Sequence, residues 1–184
     1  IDPSFNSLFF INDTLGYGAY GDGLPLCGMT TDGGYSWELY DEDCAGRDLF
    51  FLDECTGYAP IGIGYYSTDD CAENWNYEQI QMPNRTATNA WFFSSEYAFL
   101  GATGGMGTLY DFNYGSIMRT QDGGDSWYIL DFPYMPAIFD LFFVNEQIGY
   151  ACTYPFSGHP YSMIKTDDGG DTWGYQDVEM LQGE

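Results

Sequence analysis

Short apolar runs, rich in aromatic side chains, alternate with polar and Gly-rich turns along the whole chain. Four of these runs carry an aromatic pair, and they are residues 8–11, 49–52, 91–93 and 141–144. A Gly- and Tyr-rich run follows each of them, at 16–19, 57–59, 97–101 and 149–152. Runs of this length, bounded by turn residues, are typical of β-strands. The pattern therefore predicts an all-β fold built from short strands.

A third segment, here called the box turn, follows each Gly- and Tyr-rich run. Its pattern is T-x-D-x-[GA]-x-[STN]-W, and its copies are residues 30–37, 68–75, 120–127 and 166–173. The residues common to the four copies are Thr30, Asp32, Trp37, Thr68, Asp70, Trp75, Thr120, Asp122, Trp127, Thr166, Asp168 and Trp173. Three ordered segments repeated four times predict one repeat domain, 1–184, with units of about 46 residues at 1–44, 45–84, 85–134 and 135–184.

Each unit is predicted to contain four antiparallel strands, A to D. The aromatic pair lies on strand A, the Gly- and Tyr-rich run on strand B, and the box turn joins strands C and D. An Asp carboxylate can accept N–H groups of its own turn, and Gly supplies the positive φ that such a turn requires. We therefore interpret the box Asp residues as turn-stabilising rather than as catalytic residues or metal ligands.

The box turns resemble the BNR, or Asp-box, repeats of sialidases, sortilin-type receptors, xyloglucan-cleaving glycoside hydrolases and photosystem II assembly-factor-like proteins. The D-G-G-D-S-W and D-G-G-D-T-W copies carry this resemblance, which spans essentially the whole chain. It implies a β-propeller-like array of four-stranded antiparallel blades with the box at each C–D turn. The second copy departs from the pattern, because Cys71 and Ala72 replace the glycines. A compact four-bladed ring, an open array and part of a larger propeller all remain compatible with four units.

The cysteine pairing follows from this blade topology, in which the A–B and C–D turns share one end of a blade. Cys55 and Cys71 lie in those two turns of the second unit, so they are predicted to form a disulfide that holds the turn lacking glycines. Cys27 and Cys44 lie at the opposite end of the first unit and are predicted to pair. Cys152 is left over, and we expect it to be a small buried hydrophobic residue.

Charge excludes several partners. The chain has 28 acidic and 4 basic residues, which gives a net charge of −24. Phosphate recognition needs clustered Lys and Arg, so nucleic acid and anionic membrane surfaces are excluded as direct partners. No apolar run of about 18 residues occurs, so no membrane insertion is expected. Because 45% of the residues are hydrophobic and 20% are aromatic, the chain should nevertheless fold.

Several features together favour a secreted or cell-surface protein. The chain has two N-glycosylation sequons, at Asn12 and Asn84, and five cysteines with an acidic composition. If the source secretes through a glycosylating pathway, both asparagines are predicted to carry sugar.

An enzymatic function is not predicted, although the chain contains residue types that two classes of enzyme use. A sialidase would clamp a carboxylate with three arginines, and the chain has Arg47, Arg85 and Arg119. Arg119, however, occupies the repeat position that Lys165 holds in the last unit. A glycosidase needs only two suitably spaced carboxylates, and none of the many acidic pairs stands out. His159 has no neighbouring nucleophile motif and is interpreted as a surface residue.

Calcium is the one cofactor that the sequence leaves open. Asp41, Asp43 and Asp48 form an acidic stretch that carboxylate coordination could use, and Asp167, Asp168 and Asp171 form another. Neither stretch has the spacing of an EF-hand, so we favour a solvated acidic surface and expect no cofactor.

Four tyrosines outside the box pattern are the best candidates for a contact surface. They are Tyr110, Tyr114, Tyr154 and Tyr161, and we place them in the long B–C loops of the third and fourth units. The resulting hypothesis is a non-catalytic, extracellular structural or adhesive module that self-assembles into a surface or filamentous structure, because exposed strand edges and an odd Cys could bind further copies. The alternative is a carbohydrate-binding or glycan-processing propeller similar to glycoside hydrolases or sialidases, with glycans as partners.

Overall fold

The structure, a computed structural model, describes residues 5–20, 27–40, 46–81, 85–104, 111–130, 136–154 and 163–176. Every regular element in these ranges is a β-strand, which confirms the all-β prediction. The strands are β1 Phe5–Phe10, β2 Gly16–Tyr20, β3 Cys27–Thr30, β4 Glu38–Tyr40, β5 Phe50–Phe51, β6 Gly57–Ile61, β7 Gly64–Thr68, β8 Asn76–Gln79, β9 Arg85–Phe92, β10 Ala98–Gly104, β11 Asp111–Thr120, β12 Tyr128–Leu130, β13 Ile138–Phe143, β14 Gly149–Thr153, β15 Met163–Thr166 and β16 Gly174–Tyr175. The described ranges contain no helix that could span a membrane.

The strands form four sheets of four consecutive strands each, β1–β4, β5–β8, β9–β12 and β13–β16. Neighbouring strands within each sheet run antiparallel. The sheets are the blades of a β-propeller and are numbered 1 to 4 along the chain. The predicted architecture of four antiparallel four-stranded blades is thus confirmed.

The first two strands of a blade are held in register by an aromatic side chain over a small residue. Phe10 pairs with Gly16 in blade 1 and Phe143 with Gly149 in blade 4. A Cβ atom at Gly16 would lie 2.7 Å from the Phe10 ring, so a larger residue there would displace the ring. This contact explains why a Gly opens the Gly- and Tyr-rich run wherever the Phe ring folds back over it.

The hydrophobic core lies between the blades. Each blade has a leading face toward the preceding blade and a trailing face toward the next one, and three buried clusters fill the three junctions. At every junction a ring from the second strand of one blade stacks on a Phe from the first strand of the next. The stacked pairs are Tyr17 on Phe51 (4.1 Å between ring centroids), Tyr58 on Phe92 (3.6 Å) and Phe99 on Phe143 (4.6 Å).

The box turn of blade 2 has the same backbone shape as the other three without their glycines. Cys71 and Ala72 have φ of 63° and 67°, where Gly33 and Gly34 of blade 1 have 76° and 90°. Cys71 is disulfide-bonded to Cys55, and its N–H also donates to the Cys55 carbonyl oxygen at 3.2 Å. The predicted Cys55–Cys71 bond is confirmed, and it ties the two turns together where the backbone is strained.

The remaining cysteines differ from one another in environment. Cys27 is disulfide-bonded, and its predicted partner Cys44 lies outside the described residues. Cys152 is a free thiol on β14 and is exposed, so the expectation of a buried side chain was wrong. Cys152 belongs to the trailing face of blade 4, which no described blade covers.

Candidate functional site

Each box Asp is saturated by hydrogen bonds from its own turn. In blade 1, Asp32 Oδ1 accepts the Thr30 hydroxyl at 2.8 Å and the Ser36 N–H at 2.9 Å, and Asp32 Oδ2 accepts the Ser36 hydroxyl at 2.6 Å. Thr30 Oγ1 in turn accepts the Gly34 N–H at 2.9 Å. The same pattern surrounds Asp70, Asp122 and Asp168. Both oxygens of each box carboxylate therefore accept hydrogen bonds within the turn, and the carboxylate stabilises that turn.

The hydrogen bonds also set the protonation of the box carboxylates. The hydroxyl and N–H of Ser36, with the Thr30 hydroxyl, lower the pKa of Asp32 to about 2. The pKa values of Asp70, Asp122 and Asp168 are lowered by the equivalent donors. A lowered pKa in the folded state means that this stabilisation is present at neutral pH and is lost as the pH falls through the folded pKa.

Three of the box Trp residues, Trp75, Trp127 and Trp173, lie at the three blade junctions, and Trp37 lies on the leading face of blade 1. Trp127 of blade 3 contacts Tyr65 of blade 2 at 6.0 Å between ring centroids. In blade 1, Trp37 instead contacts Phe5 of its own blade at 4.5 Å. The box Trp therefore completes the leading face of its blade, whether or not another blade lies against that face.

A second repeated position lies three residues before the Phe of each first strand, and it is polar in every blade. Its residues are Ser7, Asp48, Asn89 and Asp140. Asp48 connects three blades, because its carboxylate accepts the Ser7 hydroxyl at 2.9 Å and the Ala90 N–H at 3.4 Å. Burial raises the pKa of Asp48, and the negative charge of Asp140 adds to this.

The environment of Asp48 corrects one prediction. We expected Asp48 in a solvated acidic loop with Asp41 and Asp43, whereas it is partly buried between strands of consecutive blades. Asp41 and Asp43 lie outside the described residues. Within the described ranges, no group of three or more His, Cys, Asp or Glu side chains is arranged to hold a metal ion.

Replacing Asp48 by Asn is expected to raise the free energy of unfolding at pH 7. The amide oxygen can still accept the Ser7 hydroxyl, and the cost of burying a charge is removed. The bond from the Ala90 N–H is lost, but at 3.4 Å it is long, and we expect its loss to cost less than the buried charge does. Because the folded pKa of Asp48 is raised, this cost disappears as the pH falls through that pKa, so the two proteins should converge in acid. Urea unfolding between pH 3 and pH 8 measures the difference.

The matched control is Ser7→Ala, which removes the donor but keeps the charge. It should lower the free energy of unfolding by about 1.5 kcal/mol at pH 7. A lower stability of Asp48→Asn across the whole pH range would contradict the assigned burial cost.

The arginines of the sialidase alternative do not converge along blade 3. Arg85 pairs with Gly104 at one end of β10, and Arg119 pairs with Phe99 near the other. Five residues of strand separate these positions, a distance of roughly 17 Å. Arg119 instead crosses the junction to blade 4, where it donates to Asp171 at 2.6 Å and to the Gly169 carbonyl oxygen at 3.4 Å. Arg119 thus holds two blades together.

The predicted binding loops are described only in part. Tyr110 and Tyr161 lie outside the described residues. Tyr114 belongs to β11, so it lies on a strand and not in the B–C loop where it was expected. Tyr154 follows β14 directly, is exposed, and its ring contacts Phe139 at 6.0 Å. The four tyrosines therefore do not all belong to loops.

The sequons also differ in what the structure describes. Asn12 lies in the exposed turn between β1 and β2, where its Oδ1 atom accepts the N–H groups of Thr14 and Leu15 at 2.9 and 2.8 Å. The Asn12 side-chain nitrogen donates to no described residue. Asn84 lies outside the described residues, so glycosylation of both sites stays a prediction.

An open groove of about 800 Å³ lies between blades 2 and 3, on the side of the box turns. Its lining includes Tyr65, Glu78, Glu96, Asp122 and Asp125 and is mostly polar. Burial raises the pKa of Tyr65 to about 12, so its phenol stays protonated and can donate a hydrogen bond. The groove could accept a polyhydroxylated or cationic ligand.

Two apolar faces are the largest feature that sequence reasoning missed. The leading face of blade 1 exposes Leu8 (52%) and Phe10 (43%), whose counterparts Leu49, Phe51, Leu141 and Phe143 are buried. The trailing face of blade 4 exposes Phe142 (53%) and Val144 (60%). No described residue covers either face. The repeat alignment already contained the signal, since apolar residues persist at junction positions in the first and last units.

The sequence matches no protein-family model and no curated protein. The fold is similar to solved structures. A structure of YCF48 bound to D1 peptide has a TM-score of 0.65 at 18% identity over 94% of this chain and 54% of that one. YCF48 from Cyanidioschyzon merolae has a TM-score of 0.68 at 14% identity over 98% of this chain and 58% of that one.

Two further propellers show the same likeness. The GH74 xyloglucanase from Xanthomonas campestris has a TM-score of 0.66 at 12% identity over 91% of this chain and 29% of that one. The calcium-binding protein regucalcin from Agrobacterium tumefaciens has a TM-score of 0.66 at 10% identity over 92% of this chain and 57% of that one.

The chain thus spans between half and three fifths of the length of the two YCF48 structures. At these identities the likeness shows the fold alone. The blades and the comparisons agree on one conclusion, that this chain is a four-bladed β-propeller array.

Proposed function

We propose that this chain is a non-catalytic, extracellular structural or adhesive module that self-assembles. The observation that carries the proposal is the pair of uncovered apolar faces at the two ends of the array. Soluble monomers rarely expose contiguous apolar patches of this kind, and such patches mark interaction surfaces. The resemblance of the box turns to BNR, or Asp-box, repeats is compatible with this role, because those repeats build rigid scaffolds.

The chemistry of the described residues supports a non-catalytic role. The box carboxylates accept hydrogen bonds from their own turns, and the Arg119 guanidinium donates to Asp171 across a blade junction. Asp48, whose pKa is raised, accepts hydrogen bonds from two neighbouring strands inside the blade packing. We propose that the chain works without a cofactor.

The extracellular location is supported by the Cys55–Cys71 disulfide, since disulfides persist in oxidising compartments. The net charge of −24 favours solubility at high concentration outside the cell. The neighbour YCF48, whose structure contains a D1 peptide, is a precedent for a propeller of this kind that binds a polypeptide.

The surface used for assembly differs from the one that the sequence suggested. We expected exposed strand edges to bind another chain, but within the described ranges the outer strands β4, β8, β12 and β16 have 3, 4, 3 and 2 residues. Such short edges are poor templates for strand addition. The apolar faces of the end blades are the better candidates.

A sedimentation experiment tests the proposed function. The weight-average mass of the chain is expected to rise above 20.7 kDa as its concentration increases from 1 to about 100 μM at 0.15 M salt. Negative-stain images of the concentrated sample should show rings or filaments. Monodisperse particles of 20.7 kDa throughout this range would contradict self-assembly.

The groove between blades 2 and 3 supports one second candidate, a carbohydrate-binding or glycan-processing propeller. Its lining combines Tyr65 with the carboxylates of Glu78 and Asp125, groups that hydrogen-bond sugar hydroxyls. Titration calorimetry with neutral oligosaccharides, comparing the wild type with Glu78→Gln, tests this candidate. No binding heat with the wild type would argue against it.

A further inference from the structure

The three junctions inside the chain follow one rule, and this rule predicts what covers the two end faces. At each junction the trailing face provides a Tyr or Phe from the second strand of its blade, and the leading face of the next blade provides a Phe from its first strand. These pairs stack with ring centroids 3.6 to 4.6 Å apart. A second row of contacts joins Phe9 to Phe50 at 5.4 Å, Phe50 to Trp91 at 5.3 Å and Trp91 to Phe142 at 4.9 Å.

The two end faces carry the two halves of this same junction. On the trailing face of blade 4, Tyr150 occupies the position of Tyr17, Tyr58 and Phe99. On the leading face of blade 1, Phe10 occupies the position of Phe51, Phe92 and Phe143. Within the described ranges no ring stacks on either of them from another blade.

We infer that the leading face of blade 1 packs on the trailing face of blade 4 of a second copy of this chain. This inference rests on the proposed self-assembly and names its surface, its polarity and its partner. In the assembled pair, Phe10 of one copy would stack on Tyr150 of the other and contact Val144, as Phe143 contacts Phe93 inside the chain. Phe9 would contact Phe142, as it contacts Phe50 inside the chain. Leu8 would be buried in this junction, as its counterparts Leu49 and Leu141 are. The association is heterologous, so it closes into a ring or continues as a filament.

The box turns at the ends support the same pairing. Across the junction between blades 3 and 4, Arg119 contacts Asp171, the residue three places after the box Asp. The equivalent residues on the end faces are Lys165, which lies 5.9 Å from the Tyr150 ring centroid, and Tyr35, which is 94% exposed. Lys165 is already ion-paired with Asp167 of its own turn, so in the proposed pairing a contact of Lys165 with the Tyr35 ring of the other copy would be added to that ion pair.

Charge sets the conditions for this association. Each copy carries a net charge of −24, and copies repel one another at low ionic strength. Because the core of the proposed interface is apolar, added salt screens the repulsion without removing the attraction. Association should therefore strengthen between 0.02 and about 0.5 M NaCl.

Two single-face variants test the inference. Leu8→Asp places a charge on the leading end face, and Val144→Asp places one on the trailing end face. Each variant alone should associate at least tenfold more weakly than the wild type in sedimentation velocity at 0.15 M NaCl. An equimolar mixture of the two retains one intact leading face and one intact trailing face, so it should form 1:1 dimers and nothing larger.

The matched control is Tyr128→Asp. Tyr128 is 60% exposed, as Val144 is, but it lies on the outer strand of blade 3 and on neither end face. This variant should assemble as the wild type does. Circular dichroism spectra and thermal midpoints that match those of the wild type show that all three variants are folded.

The outcomes separate the inference from the proposed function. If the wild type assembles and Leu8→Asp or Val144→Asp still self-associates to the wild-type extent, assembly uses another surface and the inference is overturned. If only one of the two variants loses association, the contact is head-to-head or tail-to-tail, and the polarity is wrong. If the wild type stays monomeric at 100 μM, both the proposed function and the inference fail.

Discussion

Phe143→Ala is expected to lower the free energy of unfolding by about 3–5 kcal/mol, the usual cost of truncating a buried Phe. Phe143 is 2% exposed at the junction of blades 3 and 4, and its ring stacks on Phe99 and contacts Trp173. A loss of this size is a large fraction of the stability of a domain. Urea unfolding at low protein concentration, followed by Trp fluorescence, measures it.

Phe10→Ala is the matched control, because Phe10 occupies the same repeat position in blade 1. Its ring is 43% exposed, and its contacts with described residues lie within its own blade, at Trp37, Gly16 and Gly34. The expected loss is about 1 kcal/mol in the monomer. Equal losses for the two variants would mean that another blade covers the leading face of blade 1 in solution.

Loss of the Cys55–Cys71 disulfide has the second largest expected effect. A cross-link that closes a loop of 16 residues stabilises a protein by about 3 kcal/mol, because it restricts the unfolded chain. The double variant Cys55→Ser, Cys71→Ser should therefore unfold at a lower urea concentration than the wild type. Cys152→Ser is the control, since Cys152 is an exposed free thiol, and it should leave the midpoint unchanged.

The strained turn predicts how this loss can be partly recovered. Ala72 has a φ of 67°, which Gly adopts without strain. Adding Ala72→Gly to the double Ser variant should raise the free energy of unfolding by about 1 kcal/mol. No recovery, or a further loss, would show that burial of the Ala72 methyl group outweighs the strain that it causes.

The repeats, the strands and the second-blade disulfide could be predicted because they depend on local chemistry. Thr and Asp two residues apart build the same turn wherever they occur, and Cys55 and Cys71 lie in turns that antiparallel strands must bring together. Tyr114 was wrongly assigned to a loop because composition does not show at which residue a strand begins. Asp48 was misplaced because its burial depends on blades 1 and 3 as well as on its own.

The sequence by itself determined the number of blades, the strands within them and the turn that closes each one. Only the tertiary structure decided which copy of a repeated position is buried. Phe10 and Phe143 have the same place in their repeats and the same contact with a facing Gly, yet one is exposed and the other is buried. Local periodicity fixes which way a side chain points, whereas burial requires a second blade on that side. The end faces of this array, and the association inferred from them, follow from that difference.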